Sequence, residues 1–192
     1  NGGAIFAYDG NDLLLTDCTF DSGSAYYGGA IYTRDYSSLL HEGGSYTSNA
    51  ATYSGGAIYS YSYNDLDLAD LEFSSNSANN DHGGAVYSYY YDTASFEDTS
   101  FTDNYAKDHG GAVYLYQLNS SVSMARLSFD TNEADTGHGG AIYSNYYVGL
   151  SVTASSFTDN TADDNGGAIY QYRNGAVSIS ETDFDGNTAQ KG

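Results

Sequence analysis

The sequence predicts an all-β fold, a single-stranded parallel β-helix of about seven coils with three short strands in each coil. One observation carries most of this. Gly-Gly-Ala, then Ile or Val, then Tyr or Phe occurs seven times, with first glycines at Gly2, Gly28, Gly55, Gly83, Gly110, Gly139 and Gly166. The interval is 26 to 29 residues, within the range of stacked repeats. A second motif runs in phase with it: an aromatic residue, two variable residues, then Asn. Its copies end at Asn49, Asn76, Asn104, Asn132, Asn160 and Asn187, and the first coil has Phe20 but Gly23 in place of the Asn. A third regularity is period two. Apolar pairs such as Leu66/Leu68, Val122/Met124, Leu150/Val152 and Val177/Ile179 alternate with polar residues, the pattern of a strand buried on one face.

Each element follows from these patterns. One strand centres on Gly-Gly-Ala-Ile-Tyr, one on the alternating apolar pair, and one on the Phe-x-x-Asn-x-Ala stretch. No segment carries a 3.6-residue period over ten residues, so no helix is expected. Seven coils at the strand spacing of roughly 4.8 Å make a rod about 33 Å long. Parallel crossovers are right-handed in most cases, so a right-handed coil is expected. Ile5, Ile31, Ile58, Val86, Val113, Ile142 and Ile169 are expected to point inward as one stack, and the aromatics from Phe20 to Phe184 as another. The reverse parity, Tyr in and Ile out, is the competing register. His41 falls at an inward position, where it is buried or marks a local bulge. The six asparagines should form an internal ladder at a turn.

Composition bounds the setting. The 192 residues fit a single repeat domain, 1–192, and leave no room for a second. The net charge of −20, with five basic residues, makes nucleic acid a poor partner, because phosphate binding needs clustered Lys and Arg. No run of apolar residues is long enough for a membrane span. Cys18 is the sole cysteine, so no intrachain disulfide forms, and a small residue in or near the core is expected there. Asn119-Ser120-Ser121 is the one glycosylation sequon, with Asn119 as its acceptor. Asn1 and Gly192 fall at the same phase of the repeat, and neither flank looks like a cap. The expectation is a segment of a longer solenoid, or a subunit that stacks head to tail on itself.

Gly-Gly-Ala-Ile alternating with Phe-x-x-Asn over essentially the whole chain resembles the paired repeats of the chlamydial polymorphic outer membrane proteins. That resemblance implies a β-helical passenger segment, secreted and surface-exposed, acting in adhesion, with host or cell surfaces as partners. The chain departs from the family in lacking a membrane-anchoring barrel region and in its 22 tyrosines. The resemblance transfers no catalytic residue.

Three surface features are candidates for chemistry. The residues after each inward Ile form an outward column, Tyr32, Tyr59, Tyr87, Tyr114, Tyr143 and Tyr170, with a neighbouring column of Tyr61, Tyr89, Tyr116 and Tyr172. Such an exposed aromatic ladder could stack on sugar rings, pack against another rod, or serve only to stabilise the sheet. His82, His109 and His138 each precede a Gly-Gly and should stack near Asp81 and Asp108, where imidazole and carboxylate could hold a transition metal. Acidic turns at Asp81, Asp103, Asp163–Asp164 and Asp183–Asp185 could associate weakly with Ca2+, although no calcium-binding motif is present and no cofactor is required. An enzyme needs paired carboxylates, or a base beside acids, at a break in the repeat. Here Arg34, Lys107, Arg126, Arg173 and Lys191 are scattered over different phases and no long insertion builds a cleft. The expected function is a non-catalytic extracellular structural or adhesive rod. The alternative is a carbohydrate-binding or polysaccharide-degrading protein that uses the tyrosine face.

Overall fold

A computed structural model describes residues 1–118 and 120–191. Every regular element among them is a strand, and every strand pairing is parallel. The chain winds through three sheets. The first holds seven strands, from Ile5–Tyr8 to Ile169–Tyr172, one from each Gly-Gly-Ala motif. The motif sets the register: Ile58 pairs with Val86 and Val86 with Val113. The third sheet holds seven two-residue strands, from Ser24–Ala25 to Thr188–Ala189.

The middle sheet departs from the sequence expectation. The aromatic of the second motif belongs to it, while the alanine two residues beyond the Asn belongs to the third sheet. In the first three coils a ten-residue strand, such as Asp65–Ser74, carries both the apolar pair and the aromatic. In later coils it divides, as in Thr93–Glu97 and Ser100–Thr102. A column of left-handed residues marks the bend in every coil, whether or not the strand divides there: Asp17, Gly43, Asp70, Asp98, Arg126, Ala154 and Glu181 all have positive φ. A second such column, from Ser22 through Ser48, Ser75 and Asp103 to Gly186, turns the chain into the third sheet. Left-handed backbone disfavours Cβ-bearing residues by roughly 1–2 kcal/mol each. Pairing with the coils on either side holds it in place even at Arg126 and Ala154.

The interior matches the expected parity. Ile31, Ile58, Val86, Val113 and Ile142 are buried in one core with Phe73, Phe101, Phe129 and Phe157. The aromatics form an unbroken internal stack from Phe20 to Phe184, with ring centroids 4.6–5.0 Å apart. Stack spacing and strand spacing coincide, so each layer takes one planar ring. His41 is fully buried. Its Nδ1 lies 2.7 Å from the Tyr46 hydroxyl, and Tyr46 takes the place of Phe in the stack. The two polar departures of the second coil therefore meet through Nδ1, while the buried His41 Nε2 has no hydrogen-bond partner among the described residues. Burial lowers the His41 pKa, so its ring is neutral. No bulge forms there: the pairing keeps one offset across Gly43 and Gly44 with the coil on either side, although both glycines have positive φ. Cys18 is partly buried, with its thiol 3.4 Å from the Thr16 carbonyl.

The second glycine of each motif has a steric cause. A Cβ on Gly84 would lie 2.0 Å from the Gly111 carbonyl oxygen, and one on Gly111 2.1 Å from that of Gly140. Neighbouring coils approach backbone to backbone there, and only glycine fits.

The asparagine ladder forms as expected. The Asn76 backbone N–H and its side-chain amide both donate to Asn104 Oδ1 at 3.0 Å. Asn104 in turn donates to Asn132 Oδ1 and to the Phe73 carbonyl, each at 3.0 Å. Each amide thus satisfies a buried peptide N–H of the coil before it. Asn104→Ala strands those donors, and the expected cost is about 3 kcal/mol or more in equilibrium denaturation. A cost within about 0.5 kcal/mol, as for an ordinary surface change, would contradict the ladder's role.

Candidate functional site

Most of the 22 tyrosines gather on the outer side of the first sheet and on the turn that follows it. The strands place them there by alternation: each inward Ile puts the next residue outward. The outward columns are not the exposed ladder expected from sequence. Tyr32, Tyr59, Tyr87, Tyr114 and Tyr143 are 4–8% exposed and form a second apolar cluster outside the coil. Tyr61, Tyr89, Tyr116, Tyr170 and Tyr172 are partly buried against it.

Aromatic tiling causes the burial. Within one coil His82, Tyr87 and Tyr89 lie nearly coplanar, and so do His109, Tyr114 and Tyr116. Successive coils stack these rows: Tyr59 on Tyr87 at 4.7 Å, Tyr87 on Tyr114 at 4.9 Å and Tyr114 on Tyr143 at 5.0 Å. Ring faces are covered by the neighbouring coils, so the columns turn edges and hydroxyls outward. Burial raises the phenol pKa of Tyr59, Tyr87, Tyr114 and Tyr143 well above the ordinary value, so they remain neutral donors. Where the outer column is interrupted, Arg34 lies over the Tyr8 and Tyr61 rings at 5.5 and 5.6 Å. Asn145 fills the other interruption and donates to the Tyr143 hydroxyl at 3.0 Å.

The three histidines stack as the sequence suggests. His82 lies 4.9 Å from His109, and His109 lies 5.0 Å from His138. Each also covers a tyrosine of the following coil: His82 on Tyr114, His109 on Tyr143 and His138 on Tyr170, at 4.3–4.5 Å. Each Nδ1 accepts a backbone N–H from the next coil. The donors are His109, His138 and Asn165, at 3.3, 3.0 and 3.2 Å. His82 Nε2 faces Asp81 Oδ1 at 3.0 Å, and His109 Nδ1 also lies 3.2 Å from Asp108 Oδ1. Burial foremost pushes the His109 pKa down to about 4, and the neighbouring histidines add to it against the opposing pull of Asp108. His82, Asp108 and His109 bring ligand atoms within 4.8 Å of one another. The lone pairs of stacked imidazoles lie in parallel planes, so closing them on one cation requires the rings to tilt off the tyrosines.

The remaining sequence candidates are dispersed. Asp81 accepts from Ser54, Asp103 from Thr131, and Asp164 pairs with Lys191 and His138. Arg126 is held by Asp98 and Glu97 along a shallow groove of about 550 Å³ at the middle-sheet bend. The Asn119 sequon lies outside the described residues.

One buried group has no counterpart in the sequence reading. Asp92 is fully buried at the turn between the first and middle sheets. It accepts from the Asn64 backbone N–H at 2.8 Å, Ser60 Oγ at 2.7 Å and Ser88 Oγ at 3.1 Å. Burial pushes its pKa up to about 7 against those hydrogen bonds. Its signal in the sequence is weak: it occupies a column held by Ser37 and Asn64 in the two preceding coils.

Residues 1–191 match the family described as the right-handed β-helix region. The chain belongs to the right-handed β-helix family. That settles the handedness of the coil, and the β-helix family includes both enzymes and non-enzymes. No curated protein and no solved structure matches the β-helix chain.

Proposed function

We propose that this β-helix is a non-catalytic structural or adhesive rod, a segment of an extracellular or cell-surface fibre whose coils stack end to end. The observation that carries the reading is continuity: the Phe20-to-Phe184 stack and the asparagine ladder run through the repeats without a break. Many of the polar groups that could do chemistry are engaged in the asparagine and histidine ladders or in ion pairs between coils. In the last coil the same interior positions are open. Val177, Ile179 and Phe184 are 42%, 43% and 48% exposed, although their counterparts Leu150, Val152 and Phe157 are buried. The resemblance to chlamydial surface repeats supports the surface location and the adhesive role. The alternative of sugar stacking on the tyrosine face is less well served, because the columns present ring edges. Among the described residues no helix is long and apolar enough to cross a membrane.

Sedimentation of the chain over a range of concentrations tests end-to-end stacking. The wild type is expected to assemble progressively, and Ile179→Glu, a change at an already exposed site, to keep it monomeric with an unchanged β spectrum. A wild type that stays monomeric throughout would overturn stacking between copies.

A further inference from the structure

We propose that Tyr36, Tyr63 and Tyr91 form an oxidative cross-linking site, where a peroxide-driven one-electron oxidant joins adjacent coils through dityrosine bonds. These residues lie outside the two columns described above, on the turn that leaves the first sheet. Tyr36 and Tyr63 stack with centroids 5.1 Å apart and planes 14° apart, and Tyr63 and Tyr91 at 5.0 Å and 6°. All three are exposed, unlike the tyrosines of the inner column. Because coils cover their faces and leave their edges free, an oxidant meets the hydroxyl and the ring carbons ortho to it.

The backbone gives the second observation. Tyr36, Tyr63 and Tyr91 have φ of 60°, 58° and 62°. A bulky aromatic is disfavoured there, and the first and last coils place Gly10 and Asn174 at turn positions of the same left-handed kind. Tyrosine therefore recurs in consecutive coils against its backbone preference, and no interior packing explains it. The chain also has no disulfide with which to staple its coils, since Cys18 is its sole cysteine.

The chemistry balances as follows. Each of two phenols gives up one electron and one proton and becomes a phenoxyl radical. The radicals join through a carbon–carbon bond between ortho carbons. Each joined carbon passes its hydrogen to its oxygen, restoring two phenols. Hydrogen peroxide takes up the two electrons and two protons, its O–O bond breaks, and two waters leave. Tyr63 has a partner on either side.

The test treats the full chain at high dilution with a haem peroxidase and limiting hydrogen peroxide, then maps dityrosine by peptide mass spectrometry. Cross-links joining Tyr36 to Tyr63 and Tyr63 to Tyr91 are expected. Tyr63→Phe should lose both while retaining the β spectrum. Tyr147→Phe, which removes an exposed phenol from the same turn in another coil, should leave both in place. Cross-links spread over Tyr8, Tyr26 and Tyr147, the same pattern in denatured chain, covalent dimers in place of intrachain links, or no dityrosine at all would each overturn the proposal.

Discussion

Gly111→Ala is expected to destabilise the protein by about 3–5 kcal/mol, among the largest effects of any single methyl group added to this chain. The new Cβ would meet the Gly140 carbonyl oxygen at 2.1 Å and the Glu133 backbone N and C at 2.6 and 2.7 Å. All three are backbone atoms that the coil pairing holds in place. Relief requires moving one coil off the next, and that breaks the ladder on both sides. Gly10→Ala is the internal control. Its Cβ meets nothing within 4 Å, and only the positive φ of 77° opposes it. That variant should lose only about 1 kcal/mol. Equal losses for the two variants, measured by denaturant unfolding, would mean that glycine conformation rather than close approach fixes the motif.

Asp92→Asn is expected to stabilise the protein by a few kcal/mol at pH 8 and to change little at pH 4. The folded-state pKa of Asp92 is raised to about 7 from 3.8. Its stabilising contribution is therefore complete below the unfolded value and lost as pH rises through about 7. An amide keeps the acceptor for the Asn64 N–H and turns its NH2 toward the Ser60 and Ser88 hydroxyls, which can rotate to accept. His109 runs the other way. Its folded pKa is lowered to about 4 from 6.5, so its contribution is present above 6.5 and lost as pH falls toward 4. The two groups oppose each other over the same window, and the wild type should show a shallow pH dependence there. Asp92→Asn exposes the acid-side loss. His109→Asn, which installs the residue found naturally at Asn165 of the same column, exposes the acid-side gain. If both variants keep the shallow wild-type profile, neither group titrates as its surroundings require.

Much of this structure was legible in the chain because the repeat reports the same residue many times. The inward Ile column, the Phe stack, the asparagine ladder and the histidine stack beside Asp81 and Asp108 all follow from phase alone. The burial of Tyr87 and Tyr114 did not. Alternation tells which side of a strand a residue takes, and is silent on whether histidines and further tyrosines will tile over it. The bend at Arg126 and Ala154 was hidden for a different reason. Neither residue favours left-handed backbone, and the neighbouring coils impose it. Asp92 was not legible either, because only its place in the Asn64 column puts it inside. The exposed Tyr36, Tyr63 and Tyr91 ladder was hidden among so many tyrosines, because separating it needs the exposure of each ring.

Cryo-electron microscopy of the assembled material tests the rod most directly. The expected image is a continuous right-handed solenoid with a rise of about 4.8 Å per coil that runs unbroken through the coils holding Ile5 and Ile169. Discrete seven-coil particles with closed, capped ends at all concentrations would contradict it.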